Sequence, residues 1–299
     1  MLMLGVQVLL GFQFQAALQP AFDRLPQATR WLMVADLILL VGTMACLVAP
    51  AMHHQLVADG HTTAGGLRTA TVWAAVALLP FAVALGLSFY TAAEQLWGQL
   101  VAVLAAASAF GVAMLFWYGL ELGRRRHRRR PRRPGPEDGG EMAGRSSVKD
   151  RIDHVLTKAR TVLPGAQALL GFQFIGMLSP GFEALPDSSK YVHFASLACI
   201  ALSTILLLTP AAYHRIVEEG EATEAFHRFA SRTLLGAMVP LVLGIAGDVF
   251  VVVRKVTDGV GSAVVAALAI MALCYGLWFG LTLLRRHQSH PRSRLRRAG

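Results

Sequence analysis

Two stretches, 100–120 and 263–284, contain no Asp, Glu, Lys or Arg. Each reaches the roughly 20 apolar residues that carry a helix across a bilayer core. Six further apolar stretches lie near 1–18, 29–50, 68–90, 161–178, 189–210 and 229–252. The whole chain is 55% hydrophobic and 15% charged, against roughly 25% charged residues in soluble domains. An ordinary soluble enzyme is excluded. The expectation is an all-α integral membrane protein with eight transmembrane helices.

The eight stretches fall into two sets. Leu9-Leu10-Gly11-Phe12-Gln13-Phe14 recurs as Leu169-Leu170-Gly171-Phe172-Gln173-Phe174, a spacing of 160 residues. The spacing persists through Pro20 and Pro180, Phe22 and Phe182, Leu25-Pro26 and Leu185-Pro186, Pro50-Ala51 and Pro210-Ala211, His54 and His214, and Pro80 and Pro240. Trp117, Gly119 and Arg124 instead match Trp278, Gly280 and Arg285, at 161. One residue is therefore gained between the third and fourth segments of the second copy. Such self-similarity predicts two four-helix repeats. The first is placed at 1–123 and the second at 148–287. A basic linker at 124–147 joins them, and a basic tail at 288–299 follows.

The first stretch has the apolarity of a secretory signal. It lacks a positive leading region, however, and its twin at 161–178 sits mid-chain, where no signal could be removed. We read it as a membrane helix. The second copy is preceded by Ile152, Val155, Leu156, Ala159 and Val162 at helical spacing. This segment fits either an interfacial amphipathic helix or an extension of the fifth span. The first copy has no counterpart, which suggests a true start upstream of Met1.

The formal net charge of +10 is concentrated in the linker and tail. These basic runs abut apolar spans rather than forming a folded basic face with interleaved aromatics, so no nucleic-acid partner is expected. By the positive-inside rule both runs lie in the cytoplasm. Four crossings separate them, so the copies lie parallel and both termini are cytoplasmic. The 19–28, 91–97, 179–188 and 253–259 loops then face outward. The linker is rich in Arg, Pro and Gly without apolar periodicity and is expected to be disordered. Arg124, Arg125, Arg126, Arg128, Arg129 and Arg130 are candidates for anionic lipid headgroups, or serve only as the orientation signal.

Ionisable groups in hydrocarbon are costly and by default mark a pathway or a pair. Asp36 and Asp248 are two such groups, each in one copy only: Ser196 stands opposite Asp36, and Ser88 opposite Asp248. Both are expected in the outer half of the bilayer, and each could relay a proton or cation, reach the interface, or be hydrogen-bonded to a neighbouring helix. Gln13 and Gln173 lie mid-span in both copies, as helix-to-helix glue or as cavity-lining groups. Pro80 and Pro240 interrupt the third span of each copy; matched broken helices point to a transporter's binding site, although lone prolines often only kink a helix. His54 and His214, at the cytoplasmic end of the second span, fit either proton transfer or headgroup anchoring. Gly119 with Gly123, and Gly276 with Gly280, permit close helix contact.

No nucleophile elbow, phosphate loop or zinc spacing is present. His53, His54, Asp59 and His61 do not have the spacing of a standard metal site. Cys46, Cys199 and Cys274 lie within apolar spans without ligand or redox-pair spacing. No enzyme activity, metal or cofactor is expected.

The run from Leu163-Pro164-Gly165-Ala166-Gln167 to Phe174, followed by Pro180, Phe182, Leu185 and the Pro210-Ala211-Ala212-Tyr213-His214-Arg215 turn, resembles a bacterial membrane family of unknown function. Its members usually correspond to one four-helix copy and are often labelled sodium:proton antiporters by automatic naming. The first copy departs from the pattern, with Met52-His53-His54-Gln55 in place of Ala-Tyr-His-Arg. The resemblance implies a multi-pass protein of the bacterial cell membrane that exchanges protons and a cation. The other reading is a non-transporting scaffold or envelope protein that meets lipids or partner proteins. Self-association into a homo-oligomer is compatible with either.

Overall fold

The computed structural model describes residues 2–57, 64–119, 139–216 and 223–277; within them, the side chains of 2–4, 49–57, 64–71, 74, 139–150 and 214–216 lie outside the description. Eight long helices are present among the described residues: α1 (Leu2–Ala17), α2 (Gln27–Val57), α3 (Ala64–Trp97), α4 (Gln99–Met114), α5 (Gly139–Met177), α6 (Asp187–Ile216), α7 (Glu224–Thr257) and α8 (Val260–Tyr275). A short 3-10 helix, Pro20–Arg24, follows α1, and a one-turn helix, Pro180–Glu183, follows α5. Both start on a proline, whose fixed φ suits the first helical position and whose missing N–H costs nothing there.

Five of the helices contain segments long and apolar enough to cross a membrane: Gln27–Val48, Ala75–Trp97, Gln99–Gly119, Asp187–Tyr213 and Glu224–Thr257. The described parts of α1 and α8 are apolar but 16 residues each, and the apolar part of α5 is the final stretch of a longer helix. The chain is thus a helical protein with the character of a membrane protein. Its outer surface agrees, since Leu100, Val103, Leu104, Val252, Val256, Val265 and Leu268 are all exposed. Their partner in a bilayer is lipid, which satisfies apolar side chains but no backbone group, as a helix requires.

The ends of the spans follow from single residues. Gly98 separates α3 from α4 at φ 82°, a left-handed conformation that glycine adopts without steric cost. In the second half Asp258 and Gly259 separate α7 from α8, with Asp258 at φ 52°. A one-residue turn is thereby matched by a two-residue turn. This is the gained residue that moves the sequence spacing from 160 to 161. Beyond the turns, a π-helical segment at Leu115–Gly119 has a counterpart beginning at Gly276.

At its start α5 departs from expectation. It begins at Gly139, so 139–147 is helical where a disordered linker was expected. Pro131, Pro134 and Pro136 all precede that point, while Glu141, Met142, Ala143 and Arg145 favour helix. The helix continues into the amphipathic stretch, whose Ile152, Leu156 and Ala159 are buried. Ile152 and Leu156 cluster with Tyr213, Phe226 and Ala230, and Arg151 pairs with Glu224 at 2.7 Å. The segment therefore extends the fifth helix against α6 and α7 instead of lying flat in the interface.

α3 and α6 are central, with 61% and 56% of their most apolar stretches buried, against 17% for that of α4. Within each half α2 packs on α3 and α3 on α4, as α6 packs on α7 and α7 on α8. The halves meet where α1 crosses α5 and where α6 packs against α3, α4 and the π turn. Phe12 and Phe172, matched in sequence, touch at the α1–α5 crossing with ring centroids 4.4 Å apart. Trp117 is 2% exposed, stacks on Phe81 and donates its indole N–H to the Ile205 carbonyl at 3.1 Å. It fastens the first half to α6.

One end of the bundle gathers all four loops expected to lie together. Arg24 pairs with Glu183 at 2.7 Å, Lys255 Nζ donates to the Gly181 carbonyl at 3.2 Å, and Thr29 Oγ1 donates to Glu94. The loops after α1 and after α5 are therefore on the same side.

Candidate functional site

α1, α2 and α3 bring one polar residue each to a common point. Gln13 Nε2 donates to Asp36 Oδ2 at 2.7 Å and approaches Ser88 Oγ at 3.1 Å. Ser88 Oγ donates to the same carboxylate oxygen at 2.6 Å. Asp36 is 2% exposed, and its second oxygen, Oδ1, is buried with no hydrogen-bond partner. Oδ1 is thus the oxygen that the protein leaves unsatisfied.

The second half builds a related cluster with different geometry. Gln173 Nε2 donates to both oxygens of Asp248, at 2.7 and 2.9 Å. Ser196, matched to Asp36, turns away and donates to the Val192 carbonyl of its own helix. Its place is taken by His193, whose Nδ1 stands 3.7 Å from Asp248 Oδ1 and whose Nε2 is 3.1 Å from the Gln173 carbonyl oxygen. The Asp248 side chain is 24% exposed. The first carboxylate is buried while the second is partly exposed.

The structure therefore brings Gln13 to Asp36 and Gln173 to Asp248, four residues singled out in the sequence but not as pairs. Pro80 and Pro240 lie eight residues before Ser88 and Asp248, about 12 Å along a helix. They do not join the clusters, and α3 and α7 run through them unbroken. Side chains bond carbonyls in these regions: Tyr118 Oη donates to Ala75 at 2.6 Å, and Ser203 Oγ to Ala237 at 2.8 Å. The backbones of His54 and His214 belong to α2 and α6, but their side chains lie outside the described residues, as do Arg124, Arg125, Arg126, Arg128, Arg129 and Arg130.

Two residues escaped the sequence reading. His193 has no matching histidine, since Met33 occupies its position in the first half. Glu94 lies at the end of its span, where a carboxylate is unremarkable by sequence alone. It accepts hydrogen bonds from Thr29, which is fully buried, and from Tyr90 Oη at 3.2 Å. It also lines a cavity of about 430 Å³ between the halves, with Arg24, Glu183, Asp187, Lys190 and Tyr191. A second, small cavity of about 20 Å³ lies against Gln13 and Ser88, with room for about one water molecule.

A family model matches residues 1–121 and 145–282, leaving aside most of the linker and the tail. The chain belongs to DUF6328, a family of unknown function. No curated protein and no solved structure matches it. For this DUF6328 chain the polar clusters are the residues from which a function can be argued, and both clusters fall within the matched segments.

Proposed function

We propose that the chain is a secondary transporter of the bacterial cell membrane that exchanges protons for a cation, with Asp36 and Asp248 as the proton-carrying groups. The observation that supports this is that each carboxylate, set within an apolar helix, is held by a glutamine from another helix, one buried and one partly exposed. Glutamine suits this task because it stays neutral and can donate to a carboxylate without cancelling its charge. The reading takes the chain as two parallel four-helix repeats with eight crossings, α1, α5 and α8 completing the five long spans. In this reading both termini are cytoplasmic and the loop-bearing end of the bundle faces outward, which the basic linker and tail support.

Purified full-length protein in liposomes under an imposed proton gradient tests it, with a pH dye inside and alkali cations outside. Cation-dependent proton movement is expected, falling at least tenfold in Asp36→Asn and in Asp248→Asn while both variants remain monodisperse. Folded protein that moves no protons under any cation gradient removes transport and leaves the scaffold reading, in which the same bonds only tie helices together.

A further inference from the structure

We infer that the cavity between the two halves is a cation-collecting entrance to the Asp36 cluster, with Glu94 as its charge and Gln95 and Met177 as its constriction. This deepens the transport reading and rests on it for its purpose, though not for its test.

The cavity opens at the loop-bearing end and, at about 430 Å³, falls within the usual range of small-ligand sites. Five charged side chains line it. Arg24 is held by Glu183 at 2.7 Å and Lys190 by Asp187 at 3.3 Å. Glu94 is the charge left over, bonded only to neutral hydroxyls among the described residues. Among the lining side chains Glu94 is thus the one negative charge without a cationic partner, a point that attracts a cation, while Lys255 stands outside the lining on the Gly181 carbonyl. The matched position in the second half carries Arg254, so this charge belongs to one half only.

From Glu94 a polar track descends α3. Gln95, Thr91 and Ser88 line the small cavity, at the three- and four-residue steps that put side chains on one helix face. Ser88 ends the track on Asp36 at 2.6 Å. Gln95 and Met177 line both cavities. Gln95 is exposed and Met177 is 2% exposed, so the flexible methionine is the group whose movement joins the two spaces.

The test uses Ag⁺, a small cation that caps thiols, on Thr91→Cys and Tyr191→Cys in right-side-out and inverted membrane vesicles. Uncapped cysteines are alkylated after unfolding and read by mass spectrometry, so the three native cysteines remain as internal references. Ag⁺ on the loop side is expected to cap Tyr191→Cys quickly and Thr91→Cys more slowly, and Ag⁺ on the other side to cap neither at a comparable rate. Met177→Ala should speed capping at Thr91→Cys about tenfold; Glu94→Gln should slow capping at both sites by a similar factor. Ala92→Cys, in the same small cavity, replaces Thr91→Cys if that variant does not fold. The inference is overturned if the deep cysteine is not capped from the loop side even with Met177→Ala, if it is capped only from the other side, or if Glu94→Gln changes no rate. Capping without proton flux sinks transport and leaves the entrance; flux without capping does the reverse.

Discussion

Ser88 Oγ donates to Asp36 Oδ2 at 2.6 Å, so a serine of α3 supports a carboxylate of α2. In the second half the residue types are exchanged: the carboxylate, Asp248, is on α7 and the serine, Ser196, is on α6. Gln173 nevertheless reaches Asp248 at 2.7 Å, the distance at which Gln13 reaches Asp36. The glutamine thus serves a carboxylate arriving from either neighbour.

This interchange makes a direct prediction. Asp36→Ser alone should lower proton flux at least tenfold, while adding Ser88→Asp should restore it to within about threefold of the parent. Flux in liposomes, with equal protein reconstituted, decides it. A double variant as poor as the single one would mean that the position, and not only the presence, of the carboxylate matters.

Gln13 can be separated from Asp36 energetically. Removing one partner of a buried hydrogen bond leaves the other unsatisfied and costs about 1–3 kcal/mol, whereas replacing both with apolar groups approaches neutrality. Gln13→Leu should therefore destabilise the protein by about that amount, since the buried carboxylate keeps only Ser88. Gln13→Leu with Asp36→Leu should be more stable than Gln13→Leu alone. Denaturant unfolding in detergent, followed by tryptophan fluorescence, measures both.

Gly171 and Gly11 are matched in sequence but not in surroundings. A Cβ at Gly171 would collide with the ring of Phe12, while one at Gly11 meets nothing within 4 Å. Overpacking typically costs about 1–3 kcal/mol, and alanine gains up to about 1 kcal/mol over glycine within a helix. Gly171→Ala should therefore lower the thermal midpoint in detergent by several degrees, and Gly11→Ala should hold or raise it. Equal effects would contradict the asymmetric α1–α5 crossing.

Much of this was legible in the sequence, and the exceptions have physical causes. Apolar runs announce helices because their length is set by the bilayer, and the extra residue was visible because Trp117 and Gly119 match Trp278 and Gly280 at 161 instead of 160. Its place, at Asp258 and Gly259 against Gly98, needed the structure. The carboxylates and glutamines were visible as polar interruptions. Their pairing was not, since Gln13 and Asp36 lie 23 residues apart on helices whose rotation the residue pattern does not fix. A comparison of repeats also hides what is unique to one half: His193 stands against Met33 and Glu94 against Arg254. Asp36 and Asp248 drew attention as charges within apolar runs, while His193 and Glu94, which also break the match, lie nearer the ends of their spans, where polar residues are ordinary.

Arg24 and Glu183 test the arrangement of the halves most directly. Their side chains are 68% and 44% exposed, and an exposed pair contributes about 0–1 kcal/mol, so replacing both should leave the fold intact. Arg24→Cys with Glu183→Cys places two thiols on loops from different halves at one end of the bundle. A short bismaleimide should join them within a single chain, seen as a covalent link between their peptides by mass spectrometry. Were the halves antiparallel, these loops would be separated by the roughly 30 Å hydrocarbon core, and no short linker could connect them. Pairing Arg24→Cys with a cysteine at Glu224, which bonds Arg151 at the opposite end, supplies the contrast: efficient joining of the first pair and none of the second is the outcome expected of parallel halves.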